Sequence, residues 1–397
     1  MIGRFVVVGI GADGWDGLSG RARDELSGAR VIYGSQRQLD LLPSGFAERR
    51  PWTSPMSAHL AEVLATDHRG DVHLLASGDP MFHGVGASVV RAVGAQRVHI
   101  IPTVSSVSLA CARLGWDLTE VTVVTTVTRD VDSVLDAATD GRDLLILSCD
   151  RTTPAAVAKL LNDTGFGWSS MVVAEQLGGP AERLVRGLAR TWDEPAGDDL
   201  NVIAVSCVGP RRSIAPGRPD DDYDHDGQIT KAPIRALTVA ALAPGHRQLL
   251  WDIGSGSGSV AIEWLRATPT GYAVAFERDT TRADRLTANA RRHGVGRRLT
   301  VRGAAPEACT DAPVPDSVFI GGGLTETMLA TVWHGLPADA RLVVNAVTVE
   351  NQSLLAEWYA RQGGSLQRHS VETAAPLGSM TTWRPALPIV QWAVTKA

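Results

Sequence analysis

The sequence predicts an α/β protein built from two domains. Short apolar runs alternate with helix-like segments along most of the 397 residues, which is the pattern of strands covered by helices. Two of the strand-like runs end in clusters of glycine. The stretch GPRRSIAPGRPDDDYDHDG, at 209–227, interrupts the alternation with Pro, Gly and Asp and has no apolar period. We interpret it as a linker between domains at 1–208 and 228–397.

The elements follow one another in a regular order. In the first half, predicted strands lie at 4–10, 72–76, 98–101, 121–126, 143–148, 171–175 and 201–208, and a helix at 154–162 has Pro154 in its first turn. In the second half, helices are predicted at 232–243, 259–267 and 280–293, and strands at 248–253, 272–277, 299–302, 317–320 and 341–346. Two last strands, near 366–370 and 389–395, are expected to form an antiparallel edge.

Composition excludes several classes of function. With 44% hydrophobic and 20% charged residues, the chain is ordinary globular protein. The net charge of −5 argues against nucleic acid as the main partner. No apolar run reaches about 18 residues, so no membrane span and a cytoplasmic location are expected. Four scattered cysteines without a CxxC pair indicate neither disulfides nor a metal site. The segment DDYDHDG begins like a calcium loop, but Pro233 stands where the bidentate Glu is needed.

The stretch LLWDIGSGSGSVAIEW, at 249–264, is the strongest functional motif. Glycines after a strand allow the backbone to approach a nucleotide-like ligand closely. A dinucleotide fingerprint can be placed on Gly256, Gly258 and Ala261, which favours a nicotinamide cofactor. The other register uses the acid that ends the strand and all three glycines. In both registers Glu277 can accept hydrogen bonds from ribose hydroxyls. The second register predicts a site formed by Asp252, Gly254, Ser255, Gly256, Gly258 and Glu277.

This second register resembles motif I of the methyltransferases that use S-adenosylmethionine and have a Rossmann-like fold. The later segments VRGAAPEA (301–308), PDSVFIGGG (315–323) and NAVTVEN (345–351) fit the same family. The upstream run GQITKAPIRAL, at 227–237, is similar to the decarboxylating precorrin methyltransferase domain of the cobalamin pathway. The resemblance implies adenine contacts at Ala304 and Ala305, a methyl acceptor held near Gly321, Gly322, Gly323 and Asn345, and catalytic residues Thr230, Lys231 and Arg235, the last two binding substrate carboxylates.

The first glycine turn, VVVGIGADG, is a weaker motif, because the next strand-like run ends in Gly34 and Ser35 without an acid. The segments LASGDPMFHGVG (75–86), IPTVSSVSLACARLGW (101–116) and VVAEQLGGPAERLVRG (172–187) together resemble the tetrapyrrole (class III) methylases of the precorrin C5-methylating type. The segment VTTVTRD (124–130) lacks that family's histidine. The resemblance implies a cofactor cleft lined by Gly9, Gly11, Gly78, Asp79, Ser105 and Ser106, with substrate contacts at Arg113 and Arg129.

The two resemblances together imply a two-lobed tetrapyrrole methylase fold followed by a Rossmann-like class I methyltransferase fold. Such fused, decarboxylating precorrin methyltransferases would transfer methyl groups from S-adenosylmethionine to two meso carbons, C5 and C15, and remove the ring C acetate as CO₂. The implied partner is a small tetrapyrrole, and a homo-oligomer is expected. Three other hypotheses stay open at this point: an NAD(P)-dependent oxidoreductase with two Rossmann folds, a nucleic-acid methyltransferase, and an inert N-terminal assembly module.

Overall fold

The computed structural model describes residues 3–45, 47–68, 70–127 and 130–397. The chain divides into two compact units, one formed by Met1–Val131 and Asp140–Pro210 and the other by Asp132–Thr139 and Arg211–Ala397. The sequence pattern assigns 132–139 to the first domain, whereas its contacts place it in the second unit. There Asp136 accepts a hydrogen bond from Arg298 at 2.7 Å. A single short segment of this kind has no signature in composition or periodicity.

The first unit begins with a five-stranded parallel sheet in the order β3-β2-β4-β1-β5. The strand FVVVGI, which lies between two neighbouring strands, is buried along its whole length, as expected for a parallel sheet covered on both faces. The strands are β1 (Phe5–Ile10), β2 (Val31–Gly34), β3 (Glu48–Pro51), β4 (Val72–Ser77) and β5 (Val98–Ile101), and the helices are α1 (Gly20–Ser27), α2 (Gln36–Asp40), α3 (Met56–Ala65), α4 (Val85–Val93) and α5 (Ser106–Leu114).

A second sheet completes this unit as a separate lobe, in the order β6-β7-β10-β8-β9. Only the β6–β7 pair is parallel within it. The elements, with one short helix of the second unit in chain order, are β6 (Thr122–Thr125), α6 (Val134–Ala137), β7 (Asp143–Leu147), α7 (Thr153–Asp163), β8 (Ser170–Glu175), β9 (Arg183–Leu188) and β10 (Asn201–Ser206). The two sheets confirm the predicted two-lobed fold, although β3 and β9 are not predicted as strands because their side chains are largely polar or half-exposed.

The second unit contains a seven-stranded sheet and a separate hairpin. Its elements are α8 (Ala232–Leu242), β11 (Leu249–Ile253), α9 (Ser259–Ala267), β12 (Tyr272–Phe276), α10 (Thr280–Arg292), β13 (Leu299–Arg302), β14 (Ser317–Ile320), α11 (Glu326–Gly335), β15 (Arg341–Ala346), α12 (Val349–Gln362), β16 (Ser365–His369), β17 (Glu372–Leu377), β18 (Met380–Pro385) and β19 (Ile389–Thr395). The sheet order is β13-β12-β11-β14-β15-β19-β16, parallel up to β15 and antiparallel beyond it. The predicted antiparallel edge is therefore confirmed.

The order of these strands locates the site. The chain order reverses between β11 and β14, and a ligand of an open α/β sheet binds outside the carboxyl ends of the strands at such a point. The glycine turn follows β11, and the GGG run follows β14.

In the part of the chain that the structure describes, no helix is long and apolar enough to cross a membrane.

Candidate active sites

The three glycines after β11 all have positive φ, but their surroundings differ. Their φ values are 68°, 57° and 76° for Gly254, Gly256 and Gly258. A Cβ on Gly254 would lie 2.6 Å from the Gly322 carbonyl oxygen, and one on Gly258 would lie 2.6 Å from Leu286 Cγ. A Cβ on Gly256 would have no atom closer than 4.0 Å. Packing therefore requires two of the glycines, and only Gly256 faces open space where a ligand could lie.

Asp252 organises this turn from the end of β11. Its Oδ2 accepts hydrogen bonds from Ser255 Oγ at 2.7 Å and from the Ala261 backbone N–H at 3.2 Å, so one carboxylate joins the turn to the first turn of α9. Its Oδ1 is buried and has no hydrogen-bond partner among the residues that the structure describes. Burial is the largest cause that raises the pKa of Asp252 to about 6. One oxygen of this carboxylate is thus left to a ligand or a bridging water.

Glu277 follows β12 and faces the same turn. Its Oε2 accepts a hydrogen bond from the Gly256 N–H at 2.8 Å, and its Oε1 accepts one from the Asp279 N–H at 3.0 Å. A carboxylate has about four acceptor positions, so each oxygen can still accept a hydroxyl proton. The N–H of Gly256 is therefore already engaged by Glu277.

The segments after β13, β14 and β15 border the same edge of the sheet. Ala304 is exposed, and its carbonyl accepts a hydrogen bond from the Ala308 N–H at 2.9 Å. Gly321 is required by packing, because a Cβ there would lie 2.7 Å from the Phe319 ring, whereas Gly323, at φ 71°, has open space around it. The remaining predicted residues of this edge are Ala305, which packs partly on the apolar core, and Gly322, which lies against Gly254.

Asn345 is less available than the sequence suggests. Its Nδ2 donates to Thr238 Oγ1 at 2.9 Å, and its Oδ1 accepts from Gln391 Nε2 at 3.0 Å. The side-chain amide thus ties β15 to α8 and β19. A substrate contact from Asn345 stays a prediction, and it would have to use the remaining donor and acceptor capacity of this amide.

Arg235 is held inside the protein, so a substrate contact from it stays a prediction that its burial does not favour. Its side chain is fully buried. The Nε donates to Glu263 Oε1 at 2.6 Å, and Nη1 donates to Asp220 Oδ1 at 3.2 Å. Further donors go to the carbonyls of Thr230 and Arg218, and the guanidinium lies over the Tyr223 ring at 4.8 Å. With its donors engaged inside the protein, Arg235 fixes the segment that precedes α8.

Lys231 and Thr230 lie just before α8. Lys231 is the N-cap residue, with its side chain 55% exposed and its Nζ 3.4 Å from Asp220 Oδ2. It remains available to a substrate carboxylate, as does the half-exposed Thr230. Much of the predicted linker belongs structurally to this unit: Tyr223 is buried in its core, and the acids that imitate a calcium loop pair with Arg218, Arg285 and Arg282.

A cleft of about 460 Å³ lies in the first unit. Of the predicted cofactor residues, Gly11, Gly78 and Ser106 line it. Gly78 has φ 60°, and a Cβ there would lie 3.6 Å from the backbone nitrogen of Ser106, which is an ordinary contact distance. The cleft thus brings together residues from three separate motifs, at the ends of β1 and β4 and at the start of α5.

The other predicted residues of this site support the loops around the cleft. A Cβ on Gly9 would lie 2.4 Å from the Gly78 carbonyl oxygen, so close packing of β1 and β4 requires glycine there. Asp79 accepts the Met81 N–H at 2.8 Å, and Ser105 caps α5 by accepting the Ser108 N–H at 3.1 Å. Arg113 forms a two-bond ion pair with Glu182. Arg129 lies outside the described residues.

Several cleft residues are not predicted from the sequence. They are Arg37 in α2, Ser77 at the end of β4, and His83, Cys149 and Asp199 in loops. His83 has φ 54°, an uncommon conformation for a residue with a side chain. Cys149 is an exposed free thiol. Of these five residues, only His83 has a local sequence signal. It lies in DPMFHG, whose turn-forming residues fit its positive φ.

Each unit thus contains one candidate site, and comparison with known proteins identifies the chain as a methyltransferase. Residues 4–193 match the family model of Tetrapyrrole (Corrin/Porphyrin) Methylases, and residues 221–396 match that of the Precorrin methyltransferase domain. The chain belongs to the precorrin-6Y C(5,15)-methyltransferase [decarboxylating] family. A member from Mycobacterium tuberculosis is 48% identical over 99% of this chain and 100% of its own length. One from Sinorhizobium sp is 41% identical over 99% of this chain and 96% of its own length.

A solved structure also resembles part of the chain. The C-terminal domain of precorrin-6Y C5,15-methyltransferase from Rhodobacter capsulatus is 44% identical, with a TM-score of 0.45, over 47% of this chain and 100% of that one. The full-length relatives make this protein a decarboxylating methyltransferase of cobalamin biosynthesis. The oxidoreductase and nucleic-acid alternatives find no support among these matches.

Proposed function

We propose that each unit binds its own S-adenosylmethionine and methylates one meso carbon of a precorrin-6Y-type substrate. The first unit, corresponding to the domain predicted at 1–208, would methylate C5. The second, predicted at 228–397, would methylate C15 and remove the ring C acetate. The observation that carries the proposal is the turn formed by Asp252, Gly256 and Glu277, which leaves an unpaired carboxylate oxygen, open space and free acceptor positions together.

The residues after β11 fit S-adenosylmethionine. The two carboxylate oxygens of Glu277 already accept hydrogen bonds from the N–H groups of Gly256 and Asp279. Each oxygen can accept a further hydrogen bond from a ribose hydroxyl. The buried, unpartnered Oδ1 of Asp252 is a costly feature unless a polar group or water meets it. S-adenosylmethionine supplies an electrophilic methyl group when bound. The backbone around Ala304 would then contact the adenine.

The first unit fits the same ligand by a different construction. Its cleft has a volume within the usual range for small-molecule sites. Gly11, Gly78 and Ser106 present backbone and a hydroxyl group rather than carboxylates. We infer that this site recognises its ligand mainly through shape and main-chain hydrogen bonds.

The protein's own contribution to the reaction is positioning and charge pairing. A meso carbon of the reduced macrocycle is electron-rich, so its attack needs an in-line arrangement more than a strong base. Methylation leaves an iminium-like ring that accepts the electron pair released when the acetate loses CO₂. Lys231, exposed at the start of α8, would bind a substrate carboxylate near the second site. Arg113 stays a weaker candidate, since Glu182 already neutralises it.

The test is the mass of the product formed by the full chain with precorrin-6Y and methyl-labelled S-adenosylmethionine. The wild-type protein should add two labelled methyl groups and release one CO₂. Glu277→Gln should abolish CO₂ release and limit labelling to one methyl at most, because it loses a charged acceptor at the second site. The matched control is Glu357→Gln, an exposed carboxylate on α12, which should behave as wild type. Full CO₂ release by Glu277→Gln would refute the assignment.

A homo-oligomer is also proposed. The β17–β18 hairpin pairs only with itself among the described strands and exposes three large apolar side chains, Leu377, Met380 and Trp383, and Leu387 is exposed just after it. Such a patch is typical of an interaction surface. Light scattering would show a multiple of the 42.1 kDa chain mass, and a monomer at micromolar concentration would contradict the proposal.

A further inference from the structure

A half-buried cation in the cleft of the first unit has no role so far. Arg37, in α2, lines the cleft. Its guanidinium donates a hydrogen bond to Ser77 Oγ at 2.8 Å, and Gln38 Nε2 donates to the same oxygen at 3.0 Å. Arg37 forms no ion pair among the described residues. Ser77 directly precedes Gly78, so the guanidinium is held beside the proposed cofactor turn.

The charge of Arg37 is poorly compensated. Burial, the largest cause, lowers its pKa below the usual value for arginine, and the charge of Asp198 offsets only part of this effect. A cation that is partly removed from water, with one neutral hydrogen-bond partner, is unfavourable in the empty protein. The same features favour an anion that enters the cleft, because a guanidinium donates two parallel hydrogen bonds to a carboxylate.

The remaining titratable groups of the cleft do not supply such an anion. Asp199 forms an ion pair with Arg151, in which Nε donates to Oδ1 and Nη2 donates to Oδ2, both at 2.7 Å. The ring of His83 contacts Phe82 edge to face at 5.0 Å. Cys149 is a free thiol. Among the described lining residues, Arg37 is therefore the one fixed positive charge without a carboxylate partner.

We propose that Arg37 binds a carboxylate of a ligand in this cleft. The proposal rests on the assignment of the cleft as a methyl-transfer site. Two sources share this chemistry: the amino-acid carboxylate of S-adenosylmethionine and a side-chain carboxylate of the tetrapyrrole. Arg37 would thereby determine either cofactor affinity or the orientation of the substrate in the first unit.

The experiment compares Arg37→Gln and Arg37→Lys in the full chain. Calorimetry measures binding of S-adenosylhomocysteine and of its decarboxylated analogue, and kinetics measure KM for the precorrin substrate. Because Arg37→Gln loses a charge-assisted hydrogen bond, it should either bind S-adenosylhomocysteine about 10- to 100-fold more weakly or show a KM for the precorrin substrate that is higher by the same factor. Arg37→Lys should recover part of this loss. If the cofactor carboxylate is the partner, removing it from the ligand should weaken binding to wild type but not to Arg37→Gln. If the substrate is the partner, only KM should rise.

The matched control is Arg91→Gln. Arg91 also donates one hydrogen bond to a serine, Ser88 Oγ at 3.0 Å, but it is exposed on α4 and does not line the cleft. Arg91→Gln should unfold at the same temperature as wild type, and Arg37→Gln at that temperature or above it. The proposal is overturned if Arg37→Gln folds and stays within about twofold of wild type in both S-adenosylhomocysteine affinity and KM. If wild type itself binds no S-adenosylhomocysteine and transfers no methyl group, the function proposed for the cleft fails instead.

Discussion

The two candidate sites are built in opposite ways. In the second unit, the polar groups around the turn are mostly buried and already bound to one another: Asp252 to Ser255, Glu277 to Gly256, and Arg235 to Glu263. In the first unit, the predicted residues Gly11, Gly78 and Ser106 line an open cleft that also contains Arg37. Changes in the second site should therefore act first on stability, whereas changes in the first should act first on ligand binding.

The largest effect is expected for Arg235→Met. Glu263 is buried and would lose its cation, and removing one partner of a buried ion pair costs about 3–5 kcal/mol. Urea unfolding should show the transition of the second unit shifted by this amount. The control is Lys231→Met, whose exposed pair with Asp220 contributes about 0–1 kcal/mol. An unchanged unfolding curve with a raised KM would instead support the predicted contact between Arg235 and the substrate.

Gly254→Ala should come next. Its Cβ would overlap the backbone of Gly322, and the positive φ adds about 1–2 kcal/mol to an overpacking cost of about 1–3 kcal/mol. Gly256→Ala has the same kind of φ without the clash, so it should lose about 1–2 kcal/mol and mainly weaken S-adenosylhomocysteine binding. Thermal unfolding and calorimetry distinguish the two. Equal stability losses would show that the turn relaxes around a new methyl group.

Much of the fold was predictable because its signals are local. The strands 299–302, 317–320, 341–346 and 389–395 have their predicted bounds, since each is a short apolar or β-branched run between turn residues. The β17–β18 hairpin is not predicted, because its strands are largely exposed and lack an apolar face. Strand order is likewise a long-range property that periodicity does not contain.

The site was only partly predictable, for a physical reason. Gly256 and Glu277 come from motifs whose spacing predicts a role in ligand binding. A motif does not show which way a side chain points, so Arg235 and Lys231 look equivalent in TKAPIR although one is buried and the other exposed. Arg37 and Ser77 lie 40 residues apart and have no shared motif. Only the folded chain brings them together.

Acid should affect the second unit through His293. Burial, the largest cause, lowers its pKa to about 3, so the imidazole is neutral in the fold and takes up a proton on unfolding. Its stabilising contribution is complete above about pH 6.5 and is lost as the pH falls toward 3, with about 2 kcal/mol lost by pH 5. His293→Gln should be less sensitive to a change from pH 7 to pH 5 in urea unfolding. The variant His246→Gln, at an exposed position, should keep the wild-type sensitivity. If the unfolding free energy of all three proteins changed equally between pH 7 and pH 5, His293 would not be the group responsible.

The smallest stability change, with the clearest effect on binding, is expected for Gly78→Ala in the first unit. A left-handed residue with a side chain costs about 1–2 kcal/mol. The new methyl group would touch only Ser106, at 3.6 Å, and would project into the cleft. Gly115→Ala is the matched control, because Gly115 has φ 69°, no atom within 4 Å of a new Cβ, and no place in the cleft lining. Both variants should lose the same stability, but only Gly78→Ala should weaken S-adenosylhomocysteine binding at one of two sites while CO₂ release continues. Equal binding by the two variants would mean that ligand recognition in the first unit does not depend on the β4 turn, and that the contrast between an open and a pre-paired site is wrong.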